Sequence, residues 1–308
     1  MSLRRRRPYG SHGDHHRSER AVRSCSEQPE PRRAAERTAL NEPGGRSGAY
    51  GASESHVVCG RLAIVTTFPD PADLYPDVAA KGSLAAALQE VAEEHGFVLG
   101  AAAADDTQPL LYASVPGATP LREDLGVSAG RISRYWLING WGQGTPLISG
   151  QTWELSEVAK VAREWRNGTP LRDIQQSASF VELTYLAEAA EQGPAQLVSA
   201  QWEWVRQDAE EAPWPEYRTL VEAAYAEPRL RQLFPYVSHW LLRFSTTTGA
   251  PFSPDVVCLH VGKGGYVVKA SSYGPSLGET ASPEEAVALA ARHLPADIGP
   301  AVAGAYGK

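Results

Sequence analysis

His239-Trp240-Leu241-Leu242-Arg243-Phe244-Ser245 alternates in character, and its reading decides the fold. Trp240, Leu242 and Phe244 share one face of an extended chain, while His239, Leu241, Arg243 and Ser245 share the other. A period of two with large apolar side chains on one side predicts a half-buried β-strand. Val256-Val257-Cys258-Leu259-His260-Val261 is short and β-branched and predicts a second strand, and Tyr266-Val267-Val268-Lys269 a third. Gly262-Lys263-Gly264-Gly265 between them predicts a hairpin turn, because glycine accepts positive φ without steric cost. Ser282-Pro283-Glu284-Glu285 then opens a helix. Ser282 is the N-cap, Pro283 fits the first helical position and Glu285 completes a capping box; Ala286, Leu289 and Ala290 follow at helical spacing, and Pro295 stops the helix.

Upstream, Glu227-Pro228 through Phe234-Pro235 reads as a turn-rich hinge. Before it, Phe180–Glu191, Gln196–Gln207 and Pro215–Ala226 each show helical periodicity, separated by Gly193-Pro194 and Ala212-Pro213. Trp202, Trp204 and Trp214 concentrate in this helical insert and are expected to pack helices against a sheet. Further back, Leu62–Thr67 and Leu110–Val115 read as strands. Ser83 caps a helix from Leu84 to His95 that Gly96 ends. Ile132–Trp141 and Thr145–Ser149 form a hairpin, and a second helix covers Leu155 to Arg166. Aligning Gly150-Gln151-Thr152 with Gly278-Glu279-Thr280 also aligns Glu157 with Glu285, Val161 with Leu289 and Ala162 with Ala290. Strands followed by a helix, built twice, predict two related modules, although convergent patterning accounts equally well for so few identities. The expected fold is α+β: a disordered tail over 1–55, an N-terminal α+β module over 56–178, the helical insert over 179–235, and a C-terminal β-meander plus helix over 236–308.

Charge divides along the same lines. Residues 1–55 hold 11 Arg against 7 acids and almost no large aliphatic residues, so they cannot bury enough apolar area to offset their ordering entropy. The remainder holds 18 Lys plus Arg against 29 Asp plus Glu, within a net charge of -7 for all 308 residues. An acidic folded part is a poor footprint for nucleic acid, and none is expected as a partner. No apolar run approaches the ~20 residues that span a bilayer, so no membrane is expected either. Arg4-Arg5-Arg6-Arg7 is followed by polar residues rather than the apolar segment of a secretory signal, and the three cysteines, Cys25, Cys59 and Cys258, are scattered. Both features fit a reducing cytoplasm.

The chemistry-bearing motifs are sparse. Gly140-Trp141-Gly142-Gln143-Gly144 lies between two strands and not between a strand and a helix, so it reads as a turn rather than a phosphate loop. His12, His15 and His16 sit in the tail without preorganised geometry; Cys258 and His260 share a strand face but lack zinc spacing. No His-Glu-x-x-His motif occurs, and no metal or cofactor is expected. The candidate ligand site is His239 and Arg243 on the face opposite Trp240, Leu242 and Phe244, with Thr247, Thr248 and Asp255 on its rim. His260 or Lys269 would join them, depending on register. The ten residues from Thr246 to Asp255 are long for a hairpin loop, and long loops are more often functional. Arginine and histidine beside hydroxyls suit an anion; the bland alternative is a solvated sheet face.

Ala226-Glu227-Pro228-Arg229-Leu230-Arg231-Gln232-Leu233-Phe234-Pro235, Ser238-His239, Arg243-Phe244-Ser245, Thr248-Gly249-Ala250-Pro251, Leu277-Gly278-Glu279 and Glu285-Ala286-Val287 stand in the segment from Ala224 to Tyr306. With these residues the segment resembles DUF6193, an actinobacterial family labelled natural product biosynthesis proteins. Leu294-Pro295 and Gly299-Pro300-Ala301-Val302 extend the resemblance, and Leu74-Tyr75-Pro76 through Leu84 and Thr152 to Gly168 match more loosely. Where relatives often carry Cys before Thr-Gly, this chain has Thr247, which argues against thiol chemistry at the loop. The resemblance implies an accessory or tailoring protein of specialised metabolism that binds a small-molecule or peptide intermediate. The alternative is a non-enzymatic interaction or immunity-type protein whose partner docks on the Trp-rich insert. Limited proteolysis should trim residues 1–55 first and leave a stable core, and protection of the Arg-rich segment in the free protein would overturn that expectation.

Overall fold

The computed structural model describes residues 68–118 and 120–307. The chain divides into two units, Met1–Ala63 and Ile64–Lys308, and everything described lies in the second. The expected tail, with its Arg and His clusters, Cys25 and Cys59, and the strand expected over 62–67 lie outside the described residues.

The class is α+β. Two short helices, α1 (Pro71–Leu74) and α2 (Pro76–Ala80), lead into α3 (Leu84–Glu94). Ser83 Oγ accepts from the Ala86 amide at 3.1 Å, and Gly96 leaves the helix at φ 79°, so both termini follow from the residues that sequence singled out. An antiparallel sheet follows: β1 (Ala102–Ala103), β2 (Tyr112–Val115), β3 (Leu125–Ala129), β4 (Trp136–Gly142), β5 (Thr145–Thr152) and, across the chain, β6 (Val181–Leu183), in that spatial order. Between β5 and β6 lie α4 (Leu155–Arg166) and α5 (Leu171–Ser177). Val158, Val161, Ala162 and Trp165 of α4 are buried against the face carrying Val127, Trp136 and Ile138.

The second half begins with α6 (Ala187–Glu191), α7 (Pro194–Glu211), α8 (Pro215–Ala226) and α9 (Pro228–Arg231). The second sheet comprises β7 (Phe234–Ser238), β8 (Leu241–Ser245), β10 (Cys258–Gly262), β11 (Gly265–Lys269) and β12 (Ser276–Thr280), with spatial order β12-β11-β10-β8-β7. Beside it β9 (Thr247–Gly249) pairs in parallel with β13 (Val302–Ala305). The closing helix α10 (Pro283–His293) is capped by Ser282 Oγ, which accepts from the Glu285 amide at 3.2 Å. Leu220, Val221 and Ala224 of α8, Ala286 and Ala290 of α10, and Trp202 of α7 cover Leu242, Phe244, Leu259 and Val268. Among the described residues no helix is long and apolar enough to cross a membrane.

The two halves repeat one succession: a helix, five antiparallel strands in a meander, and a second helix that packs beside the first. In the first half this is α3, β1 to β5 and α4; in the second it is α8, β7, β8, β10, β11, β12 and α10.

Several expectations need correction. Helical periodicity over Phe180–Glu191 hides a strand, β6, and only Ala187–Glu191 is helical; the edge of the first sheet supplies the hydrogen bonds that override local preference. The supposed hinge before Pro235 runs into β7, and its proline is tolerated because β7 is an edge strand. The strand expected from His239 begins at Leu241 instead. His239 and Trp240 form the tip of the β7–β8 hairpin at φ 52° and 62°, and Trp240 is 41% exposed, so only Leu242 and Phe244 of the predicted apolar face enter the core. Of the three insert tryptophans, Trp202 is buried, and Trp204 and Trp214 are exposed.

The turn read from Gly140–Gly144 is a two-residue hairpin in which Gln143 (φ 51°) and Gly144 (φ 78°) both hold left-handed backbone. It seats against the second half: the Ala250 amide donates to the Gly144 carbonyl at 2.8 Å. A Cβ on Gly249 would collide with the Gln143 carbonyl. Gly249→Ala is therefore expected to cost about 2–3 kcal/mol in urea unfolding. Gly299→Ala, where a Cβ meets nothing within 4 Å, should change stability by less than about 0.5 kcal/mol. Equal stability of the two variants would show that the turn is not seated as described.

Candidate functional site

The face of the second sheet turned away from its helices follows from strand register. Tyr236 pairs with Arg243, Arg243 with Cys258, and Cys258 with Lys269, which places one residue from each of four neighbouring strands in a row. His260 lies two residues beyond Cys258 on the same face. Beyond the row, the β7–β8 tip bends over the sheet end, where a cavity of about 870 Å³ opens. Trp214, Tyr217, Trp240 and Tyr273 form its aromatic walls; His239, Arg243, His260, Lys263 and Lys269 supply its basic groups. Among the described residues no aspartate or glutamate lines it.

The aromatic wall is built by edge contacts. Trp240 meets Trp214 at 4.9 Å and Tyr217 at 5.5 Å between ring centroids, both nearly perpendicular. Such pairs contribute about 0.5–1.5 kcal/mol each. Trp214 stands there because it is the N-cap residue of α8, directly before Pro215. The Tyr217 hydroxyl is buried without a hydrogen-bond partner, and burial, followed by the charge of Asp208, pushes its phenol well above the ordinary range.

The floor is an ion pair. Asp255 Oδ1 accepts from Tyr236 Oη at 2.7 Å and from Arg243 Nε at 2.8 Å. Its Oδ2 accepts from Arg243 Nη2 at 2.9 Å and from the Ser272 amide at 2.9 Å. Burial pushes the Asp255 carboxyl up, but the hydrogen bonds from Arg243, Tyr236 and Ser272 outweigh it and hold the group well below the usual carboxylate range. Burial and the bond to Asp255 raise the Tyr236 phenol. Burial, then the Asp255 charge, pushes the Cys258 thiol up to about 12, so it is neither a thiolate nucleophile nor a ready metal ligand. Two N–H groups of Arg243 face Asp255, which leaves three of the five for other partners. Lys269 Nζ donates to the Ser272 carbonyl at 2.8 Å and spans the same loop.

Of the predicted site residues, His239 and Arg243 line the cavity, joined by His260 and Lys269. Asp255 lies beneath Arg243 with its side chain 3% exposed, not on a rim. Thr247 and Thr248 are elsewhere: both are buried, Thr247 in a hydroxyl cluster with Ser245 and Ser253, and Thr248 at a separate small cavity beside Arg122 and Glu191. The loop turns inward there because β9 pairs with β13, a partner about fifty residues away that local reading could not supply. Trp214, Tyr217, Lys263 and Tyr273 went unpredicted; Pro215 after Trp214 was the available signal for the first.

Arg243 is also less freely replaceable than an open sheet face implies. Arg243→Ala leaves a buried carboxylate short of its charge partner and should cost about 3 kcal/mol. Because the folded Asp255 carboxyl is held low, its contribution is present above the unfolded pKa and lost as pH falls below about 4. Chemical denaturation between pH 7 and pH 3 should show that loss in the wild type. Asp255→Asn should be less stable at pH 7 and flatter across the interval; parallel curves would remove Asp255 from the account.

Residues 196–305, from α7 through β13, match the model of DUF6193, a family of unknown function. No curated protein and no solved structure matches the chain. The matched stretch contains the whole second sheet, the helices α8 and α10 that cover it, and every residue that lines the cavity, so the second half is similar to DUF6193.

Proposed function

We propose that the protein binds a small-molecule or peptide intermediate in the cavity at the β7–β8 tip. On this reading it is an accessory or tailoring protein of specialised metabolism in the actinobacterial cytoplasm. The observation that carries the binding part is the tip itself. A two-residue hairpin with positive φ at both central positions favours Asn-Gly. This one holds His239 and Trp240 there, and both side chains line the cavity. Left-handed backbone costs a residue with a Cβ about 1–2 kcal/mol, and such cost concentrates where side chains serve function. The biosynthetic setting rests on the resemblance alone; the matched family, DUF6193, is one of unknown function. A second reading, a partner-binding protein, has its own support: Tyr185 and Trp204 stack at 5.5 Å on the insert and both are exposed.

The double variant His239→Asn/Trp240→Gly separates a binding tip from a merely structural one. Relief of the left-handed strain offsets the two lost aromatic contacts, so its stability should stay within about 1 kcal/mol of wild type. It should fail to restore the metabolite profile of a deletion strain that the wild-type gene restores. A deletion that leaves the profile of a producing strain unchanged would sink the biosynthetic reading. Full complementation by the folded double variant would sink the cavity.

A further inference from the structure

Resting on the cavity reading above, we propose that the ligand is an aromatic anion: a planar ring bearing a carboxylate or phosphate. The ring lies against Trp214 and Trp240, and the anionic group lies toward Lys263, Lys269 and His260. The folded part of the chain is acidic, with 29 acids against 18 Lys plus Arg beyond residue 55. The cavity reverses that balance, with three permanent cations, two histidines and no acid in its lining. Asp255 beneath it has all four acceptor positions filled, and its charge is balanced by Arg243, its bidentate partner. Lys263 and Lys269 therefore remain in excess. Glu279 lies on the same sheet face, opposite Val267 on the outer strand β12, outside the cavity lining.

The repeated first half supplies an internal comparison. Its corresponding sheet face, away from α3 and α4, presents Tyr112, Ser114, Ser128, Leu137, Asn139 and Gln151 in register, with Glu182 of the edge strand β6 opposite Ser149, and its strands carry no lysine or arginine. One topology thus carries a face without basic groups and a basic one. A solvated face needs no such difference, whereas an anion site does.

The walls decide what the anion is attached to. Trp214 and Trp240 are 45% and 41% exposed and meet edge to face, which leaves ring surface for a planar guest. Aliphatic lining is limited to Leu241 and Val261, too little for an acyl chain. A cationic guest would gain from the aromatic rings but meet five basic groups. Arg243 and Lys269 lie two strands apart in one row, roughly 10 Å at the usual strand spacing, which matches a one- or two-ring acid better than a polymer.

Isothermal titration calorimetry of the full chain tests this with matched probes. Indole-3-acetate and adenosine monophosphate supply the carboxylate and the phosphate. Indole-3-acetamide and adenosine are the neutral counterparts, and tryptamine is the cation. At least one anion should bind about tenfold or more tightly than its neutral counterpart, with tryptamine weakest, and the preference should shrink as salt rises. Lys263→Gln/Lys269→Gln should abolish the preference while the protein stays folded, with only a small fall in melting temperature from the lost Lys269–Ser272 bond. Which anion binds names the group carried. If neutral or cationic rings bind as well as the anions, the charge inference falls and the cavity reading stands. If the anions bind but the lysine double variant keeps the full preference, they sit elsewhere and this site is wrong. If no probe of any charge binds folded protein at ~1 mM, the aromatic-anion inference falls; whether the cavity reading falls with it is decided separately by complementation with His239→Asn/Trp240→Gly.

Discussion

Asp255 is a carboxylate taken out of water, and the second sheet is arranged around what it requires. An ionised carboxylate has about four lone-pair positions, and leaving them empty in a buried setting costs several kcal/mol. Here the four are filled from three separate parts of the chain: Tyr236 on β7, Arg243 on β8, and the Ser272 amide in the β11–β12 loop. Asp255 itself stands at the approach to β10. One side chain therefore fixes the spacing of strands that sequence separates by more than thirty residues. It also anchors the loop that carries Tyr273 to the cavity rim. Arg243 is held as firmly as its partner: its guanidinium lies 4.6 Å over the Tyr236 ring and is fixed by two charge-assisted bonds. A polar group so held keeps its geometry when a ligand arrives, and that preorganisation lowers the ordering cost of binding.

The other constraint is apolar and one-sided. In each half two helices cover the same sheet face, so the opposite face is free to differ. Trp165 over the first sheet and Trp202 over the second each bury their ring and still satisfy the indole N–H, Trp165 to the Glu123 carbonyl at 2.9 Å and Trp202 to the Arg231 carbonyl at 3.0 Å. The Gln143-Gly144 turn then meets Gly249 and Ala250, where only glycine leaves room for the carbonyl of the facing chain. Buried Arg122 stands near this contact, donating to the Trp165 and Thr169 carbonyls and paired with Glu191. Thr247 and Thr248 belong to this structural region and not to the ligand cavity.

Much of the architecture was legible because local signals agreed. Ser83, Gly96, Ser282 and Pro283 mark helix ends by hydrogen bonding and backbone freedom alone, and the structure places the ends there. The residues flanking Arg243 were legible in part, since alternation puts Leu242 and Phe244 inward whatever the partner strands are. What escaped was set by distant partners. Val181–Leu183 is a strand only because β5 offers an edge, and Thr247–Gly249 only because β13 returns to it. The His239-Trp240 tip escaped for a different reason: it lacks the Asn or Gly by which such a turn is read.

That last miss bears on function. Sequence rules fail where a residue is kept for something other than local conformational preference. At the β7–β8 tip two bulky side chains occupy left-handed backbone and line the cavity. In another two-residue hairpin, Gln143-Gly144, the second position is the glycine that the turn calls for, and its task is to fit against Gly249 and Ala250. Both turns close antiparallel hairpins, yet one is built for close backbone approach and the other for side-chain display. The same divergence runs across the sheet faces, without basic groups in the first half and basic in the second. Within one chain, then, the half with the costlier turn is also the half with the basic face. Stability alone gives no reason for those two features to coincide; a ligand held between tip and sheet does.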